Sequence, residues 1–395
     1  MKKSNKLIVG YGIFTFVFVV LLFLLPKFLK NEFRGISKEE MAMLDIEHAK
    51  IAYVNEPALD VIDVDSLLKQ KPVPLHEKVE SYKIIDLERT PQSRLDGQTQ
   101  YTITTDYIYA YNAMAPYVIV FTAEGKFVRR ICRFNDGVKF GLIKSVVFDN
   151  VRNELVVLSD CYLFYFTPKG ALKVKKQLPI NLKKIFVNAG DIYAVTTGTQ
   201  PVEKLQNKIG NAMIKMTPAL KVSHITTVNK SNRRDYRTPL QVSQNSHHRI
   251  ITGDFGYDCI FSYDMSNDKV NNKYRFNFGA IGISDDNRNG YMFSSFMESN
   301  QLQLLEIRRY IRRNSYDRRR FIKKHGDFIY LDMKDTGKNL PFVSEFIGVK
   351  DNILITTTWT HYRNVKSVFS QEIKELVKKT DEHNKQLVFM TLKAL

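Results

Sequence analysis

The densest concentration of ligand-binding side chains falls in residues 301–324, QLQLLEIRRYIRRNSYDRRRFIKK. Nine basic groups, Arg308, Arg309, Arg312, Arg313, Arg318, Arg319, Arg320, Lys323 and Lys324, stand there against two acidic ones, Glu306 and Asp317. Guanidinium groups present a planar fork of donors that matches carboxylate, sulfate and phosphate oxygens, so these nine are the candidate anion-binding residues. Leu304, Ile307 and Ile311 recur at three- and four-residue spacing, which predicts an amphipathic helix with the arginines spread over the rest of its surface. Such a helix is suited to anionic lipid headgroups, or it docks on the body of the protein by its aliphatic stripe. Arg, Tyr and Phe are interleaved as in single-strand nucleic-acid sites.

Other chemistry is sparse. The three cysteines, Cys132, Cys161 and Cys259, form no CxxC pair and each lies in or beside an apolar segment, so they read as small buried hydrophobes. The eight histidines are scattered apart from His247 and His248, and neighbours on a strand point to opposite faces. No HExxH, GxSxG or Walker-type loop occurs. Asp106, Asp160, Asp191, Asp254, Asp285 and Asp286 lie near the ends of strand-like runs and read as solvated turn carboxylates. No catalytic residue, metal site or cofactor is therefore expected.

The elements that carry these residues begin with an apolar leader. Residues 7–25, LIVGYGIFTFVFVVLLFLL, contain no charge and as a helix would span roughly 28 Å, about the hydrocarbon thickness of a bilayer. Lysines flank the run, no small-x-small cleavage pattern follows it, and no cysteine offers a lipid attachment point. Residues 1–30 are predicted to be an uncleaved transmembrane anchor, with the large C-terminal body in the periplasm and the anchor single-pass in the inner membrane. Export of the body leaves nucleic acid an unlikely partner. Residues 31–78, with a helix-like EEMAMLDIEHAKIA and a proline-containing KQKPVPLHEK, read as a stalk or linker.

From residue 79 to 395 a single pattern recurs. Its first strands are IYAY from Ile108, ELVVLS from Glu154, DIYAVTT from Asp191, HRIITG from His248, YMFSSF from Tyr291 and NILITTTW from Asn352. Each is followed by a second run: YVIVF, YLFYF, AMIKM, DCIFSY, DFIYL and QLVFM. The early spacing averages roughly 45 to 50 residues, near the length of a four-stranded propeller blade. An all-β fold is predicted, a six-bladed β-propeller carrying a basic insertion at 301–324 and a helical insertion at 370–384. The last unit lacks an outer strand, and SYKIIDL from Ser81 can supply it, closing the ring and removing an exposed sheet edge.

The runs HEKVESYKIIDLERT, IYAY and YVIVFTAEGKFVRRI, with DEHNKQLVFMTLK near the end, resemble the six-bladed, NHL-like β-propeller proteins of Bacteroidetes cell envelopes over residues 75–395. The chain departs from that pattern at CRFNDGVKF, where the family often has a glycine-rich turn. The resemblance implies an exported, commonly lipid-anchored propeller with no established general activity. The expected function is a membrane-anchored binding or scaffolding module for a peptide, glycan or protein partner, with anionic lipid as a further contact. The alternative is a hydrolase or lyase using metal-assisted chemistry in the channel, as some NHL-like relatives do.

Overall fold

In a computed structural model, residues 49–54, 60–95, 99–113, 115–132, 137–178, 182–196, 212–228, 241–244, 249–253, 259–282, 289–311, 314–332, 345–359 and 385–393 are described. The expected anchor at 1–30 and the helical insertion at 370–384 lie outside these residues. Among the described residues no helix is long and apolar enough to cross a membrane.

The fold is an all-β propeller. Four short elements lead into it: β1 (Lys50–Val54), β2 (Asp60–Asp63), α1 (Val64–Lys69) and β3 (Val73–Pro74), followed by α2 (Leu75–Lys78) and β4 (Val79–Asp86). The repeated strands follow. They are β5–β8 (Gln100–Ile103, Tyr107–Tyr111, Tyr117–Thr122, Phe127–Cys132), β9–β12 (Ile143–Asp149, Glu154–Ser159, Tyr162–Phe166, Leu172–Gln177) and β13–β16 (Leu182–Asn188, Asp191–Thr196, Ala212–Met216, Val222–Val228). Next come β17–β20 (Gln241–Gln244, Arg249–Gly253, Cys259–Asp264, Lys269–Asn277), β21–β24 (Gly290–Glu298, Gln303–Ile311, Asn314–Lys323, Ile329–Asp332) and β25–β27 (Glu345–Lys350, Ile353–Trp359, Lys385–Leu392). Each group forms one antiparallel sheet, and β4 completes the last by pairing with β27.

Central strands are buried on both faces because each sheet is covered by a neighbour on either side. All six residues of β10 are buried, as are the middle four of β7, which is why both read as unbroken Val, Leu, Ile and Phe runs. The buried clusters join consecutive sheets. Tyr109, Val120 and Ile131 meet Val157 and Phe164, while Leu158 and Leu163 meet Ile185 and Ile225. Phe186 and Tyr193 pack on Tyr263 and Met265, and Ile260 and Phe276 on Phe293 and Phe321. Leu304 and Ile322 pack on Leu354 and Val388, and Leu387 and Ile85 on Ile108 and Phe121 of the first repeated sheet.

Two glycines make the turns fit between sheets. Gly125, at φ +88°, follows β7; a Cβ there would lie 2.1 Å from the Asp86 carbonyl oxygen, and its own carbonyl accepts a 2.8 Å bond from Glu88 N. Gly170, at φ +90°, leaves room for Ile131 of the preceding sheet, whose Cδ1 would be 2.8 Å from a Cβ.

The stalk expected at residues 31–78 is corrected over its described part. β1, β2 and β3 add in parallel to the outer strands β16, β20 and β24, so residues 50–54, 60–63 and 73–74 lie along the rims of three successive sheets. The helix-like reading that extended to Ala52 also fails, since Lys50–Val54 is a strand. An outer strand presents unpaired N–H and C=O groups, and a length of chain carried past it gains more by pairing there than by standing free. Gln70 fixes the path: its Nε2 donates to Phe328 O at 2.9 Å and its Oε1 accepts from Tyr330 N at 3.1 Å. Replacing it, Gln70→Ala, deletes two bonds worth about 1 kcal/mol each. Amide exchange of residues 60–74 is expected to accelerate on the order of tenfold or more while that of β10 is unchanged; equal exchange in both proteins would show that the side chain does not hold the rim segment.

Candidate basic site on the β22–β23 hairpin

The basic segment is not a helical insertion. Residues 303–311 and 314–323 are β22 and β23, paired with each other and forming the middle of their sheet. The three-four spacing of Leu304 and Ile307 is coincidental: Leu304 and Ile322 face the β25–β27 sheet, whereas Leu305, Ile307 and Phe321 face the β17–β20 sheet. A strand clamped between two sheets needs apolar residues on both faces, and that demand produced the pattern.

The hairpin is long. β22 has nine residues and β23 ten, against five and six in the equivalent β6 and β7. Outer strand β24 pairs only with Arg320, Phe321 and Ile322, so the hairpin continues past it and carries most of the arginines there.

On the face toward the β25–β27 sheet, Glu306 is the centre. Its Oε1 accepts from Arg308 Nε at 2.8 Å and from Ser294 Oγ at 3.0 Å, and its Oε2 accepts from Arg320 Nε at 2.9 Å. Glu306 and Arg320 are each 6% exposed, and the Arg320 guanidinium lies 5.2 Å from the Phe346 ring centroid. Burial alone would raise the Glu306 carboxyl, but the charges of Arg320 and Arg308 outweigh it and hold the group below the ordinary glutamate range. Arg308 is directly opposite Arg318 across the strand pair. One carboxylate is thus shared by two guanidinium groups, and Arg318, opposite one of them, is exposed.

On the opposite face Arg309 and Arg319 flank Tyr291, each 5.8 Å from its ring centroid, and Arg319 is also 5.6 Å from the Tyr330 ring. Arg319 is committed further, donating to Asp317 Oδ2 at 3.0 Å and to Leu68 O at 2.9 Å. Arg309 is exposed.

The nine candidate residues therefore separate. Arg308, Arg309 and Arg318 share the projecting end of the hairpin with Arg319, while Arg320 is buried beneath them. Arg312 and Arg313, between β22 and β23, lie outside the described residues. Lys323 and Lys324 are at the other end of β23, where Lys323 Nζ lies 5.8 Å from the Tyr274 ring and Lys324 donates to Lys393 O at 3.3 Å. Sequence reasoning missed Ser294, Tyr291, Tyr330 and Phe346, which come from neighbouring strands. Glu306 carried a usable signal, as a lone acid two residues before Arg308.

The described aspartates do not converge. Asp160, at φ +49°, accepts from Leu142 N at 3.1 Å, and Asp191 is 3.8 Å from Lys215 Nζ. Asp106 is exposed; Asp254, Asp285, Asp286, His247 and His248 lie outside the described residues. Cys132 is buried, but Cys161 is exposed, which corrects the expectation for that residue. Among the described residues no group of three His, Cys, Asp or Glu side chains is placed to hold a metal ion.

No protein-family model and no curated protein matches the sequence. Solved structures do match in fold. A Bacteroides fragilis protein described as exported aligns over 87% of this chain and 100% of its own, with a TM-score of 0.65 at 12% identity. A member of the DUF4221 family from Bacteroides vulgatus aligns over 80% of this chain and 97% of its own, with a TM-score of 0.48 at 12% identity.

Proposed function

We propose that this chain is a six-bladed, NHL-like propeller, exported and held at the inner membrane by residues 7–25, that acts as a binding or scaffolding module in the periplasm. Its partner is a protein, peptide or glycan carrying anionic groups, received at the projecting end of the β22–β23 hairpin. Six hydrogen-bonded sheets and the packing of the last against the first support the blade count. The similarity to an exported Bacteroides fragilis protein supports the compartment.

The observation that carries the binding role is the Arg308–Arg318 pairing. Like charges directly opposite each other on adjacent strands repel, and Glu306 is already shared between Arg308 and buried Arg320. An arriving carboxylate, sulfate or phosphate removes that repulsion and forms charge-assisted bonds with forks already in position. Arg309 and Tyr291 add a cation–aromatic shelf on the other face of the same hairpin.

The test uses the full chain in neutral detergent with three probes: a sulfated oligosaccharide, a poly-glutamate peptide, and vesicles containing phosphatidylglycerol. Binding to one of the first two at about 50 mM salt, weakened on the order of tenfold or more by Arg309→Glu with Arg318→Glu, is the expected result. Binding to the vesicles alone would replace a macromolecular partner by the lipid surface. Equal binding by parent and variant would remove the hairpin from the function.

A further inference from the structure

The rim of the propeller has one edge whose occupant the chain itself identifies. β12 is the outermost strand of its sheet, and among the described residues nothing pairs with its outer side. The outer strands of the next three sheets, β16, β20 and β24, are each covered by a parallel strand from residues 50–74. These covering strands start at Lys50, Asp60 and Val73, one every 10 to 13 residues, and step round the ring in the order of the sheets. Traced backward, the same path leads from β1 to β12.

The described chain starts at that border. Ala49 packs against the cluster formed jointly by Val156, Leu158 and Leu163 of the β9–β12 sheet and Ile185 and Ile225 of the β13–β16 sheet. Forty-eight residues precede it. One step back along the chain is residues 37–47, SKEEMAMLDIE, with four carboxylates, Glu39, Glu40, Asp45 and Glu47, against one lysine, Lys38.

β12 has the complementary character. Its sequence is LKVKKQ, and Lys169 stands in the turn before it. Leu172 and Val174 are 43% and 42% exposed, among the few large apolar side chains open to solvent among the described residues. Lysines are common on free edges as a guard against pairing with other chains. Here their charge would also select an acidic strand, and Met41, Met43, Leu44 and Ile46 supply apolar groups to cover Leu172 and Val174.

We infer that the acidic stretch within residues 37–47 of this chain adds to the outer edge of β12 as a further parallel strand. The juxtaposition that carries the inference is an open lysine-rich edge one step upstream of three edges already covered by the same length of chain. The consequence is mechanical. About ten residues would then separate the apolar run from the propeller body, so the rim at β12, rather than a long free tether, would set which side of the ring faces the bilayer. This inference is independent of the basic hairpin and rests on nothing proposed for it.

Amide exchange on the full chain in neutral detergent tests it. β12 is expected to be protected, and Ala42→Pro with Leu44→Pro, which cannot donate to a ladder, is expected to accelerate its exchange on the order of tenfold or more while β10 is unaffected. Exchange of the outer β12 amides at free-edge rates in the parent overturns the inference. So does protection that survives the prolines; if it then varies with protein concentration, a second copy occupies the edge. Should the prolines also loosen β10, the charge reversal Glu39→Lys, Glu40→Lys, Asp45→Lys and Glu47→Lys is read instead, and unchanged β12 exchange in that variant overturns the inference.

Discussion

A chain ending at Lys385 does not fold cooperatively, because the strand it lacks lies inside a sheet and between two inter-sheet cores. β27 is hydrogen-bonded to β26 on one side and to β4 on the other. Leu387 packs against Ile108, Ile119 and Phe121 of the first repeated sheet, whereas Val388, Met390 and Leu392 pack with Leu304, Ile322 and Leu354. Truncating one such side chain to alanine costs about 2–5 kcal/mol, and four together match or exceed the whole stability of a typical domain, about 5–15 kcal/mol. Amide exchange distinguishes ring closure from local damage: protection is expected to fall at β6 and β7 as well as at β26. A stable fragment retaining β5–β12 with unaltered protection would show that the first sheet does not depend on the last. Leu387→Ala is the milder version, with a loss of about 2–5 kcal/mol read from chemical denaturation.

Closure was legible in the sequence because its two ends are strongly patterned. SYKIIDL and QLVFM each present short apolar runs with flanking polar residues, and a missing outer strand in the last unit leaves one place for the first run to go. The β5–β12 stretch was legible for the same reason: short turns at Gly125 and Gly170 separate compact strands.

The rim segment was not legible. β2 has four residues and β3 two, one of them Pro74, so neither carries a propensity signal of its own. They are strands because β20 and β24 offer unpaired edges, which is tertiary information. The basic hairpin failed differently. In β22, the doubly buried pairs Leu304 with Leu305 and Glu306 with Ile307 break simple alternation, and the remaining spacing imitates a helix. Grouping YMFSSF with IYAY and ELVVLS, which are the second strands of their sheets, displaced the register. Tyr291–Phe296 belongs to β21, the first strand, and the segment set aside as an insertion supplies the second and third.

Replacing Glu306 separates the stability of the hairpin from its binding. Glu306→Leu leaves Arg320, whose side chain is 7% exposed, charged and without its carboxylate, at a cost of about 3–5 kcal/mol. Glu306→Leu with Arg320→Met removes both buried charges and is expected to fall within about 1 kcal/mol of the parent, since Arg308 still reaches solvent. The pH dependence has a defined sign. The folded carboxyl titrates below the unfolded value of about 4.3, so its contribution is complete above that value and is lost as pH falls through the folded one. Denaturation midpoints of the parent should therefore fall on acidification below about pH 4.3. In Glu306→Gln that part of the dependence should vanish and stability at neutral pH should be lower.

The same substitution removes the carboxylate that Arg308, opposite Arg318, shares with Arg320, so external anions have more repulsion to relieve. Sulfate is expected to raise the midpoint of Glu306→Gln more than that of the parent, by binding the folded state alone. Equal sulfate effects in both proteins would mean that Glu306 does not share these guanidinium groups with an outside ligand, and the hairpin would then be a structural ion-pair network with no binding role.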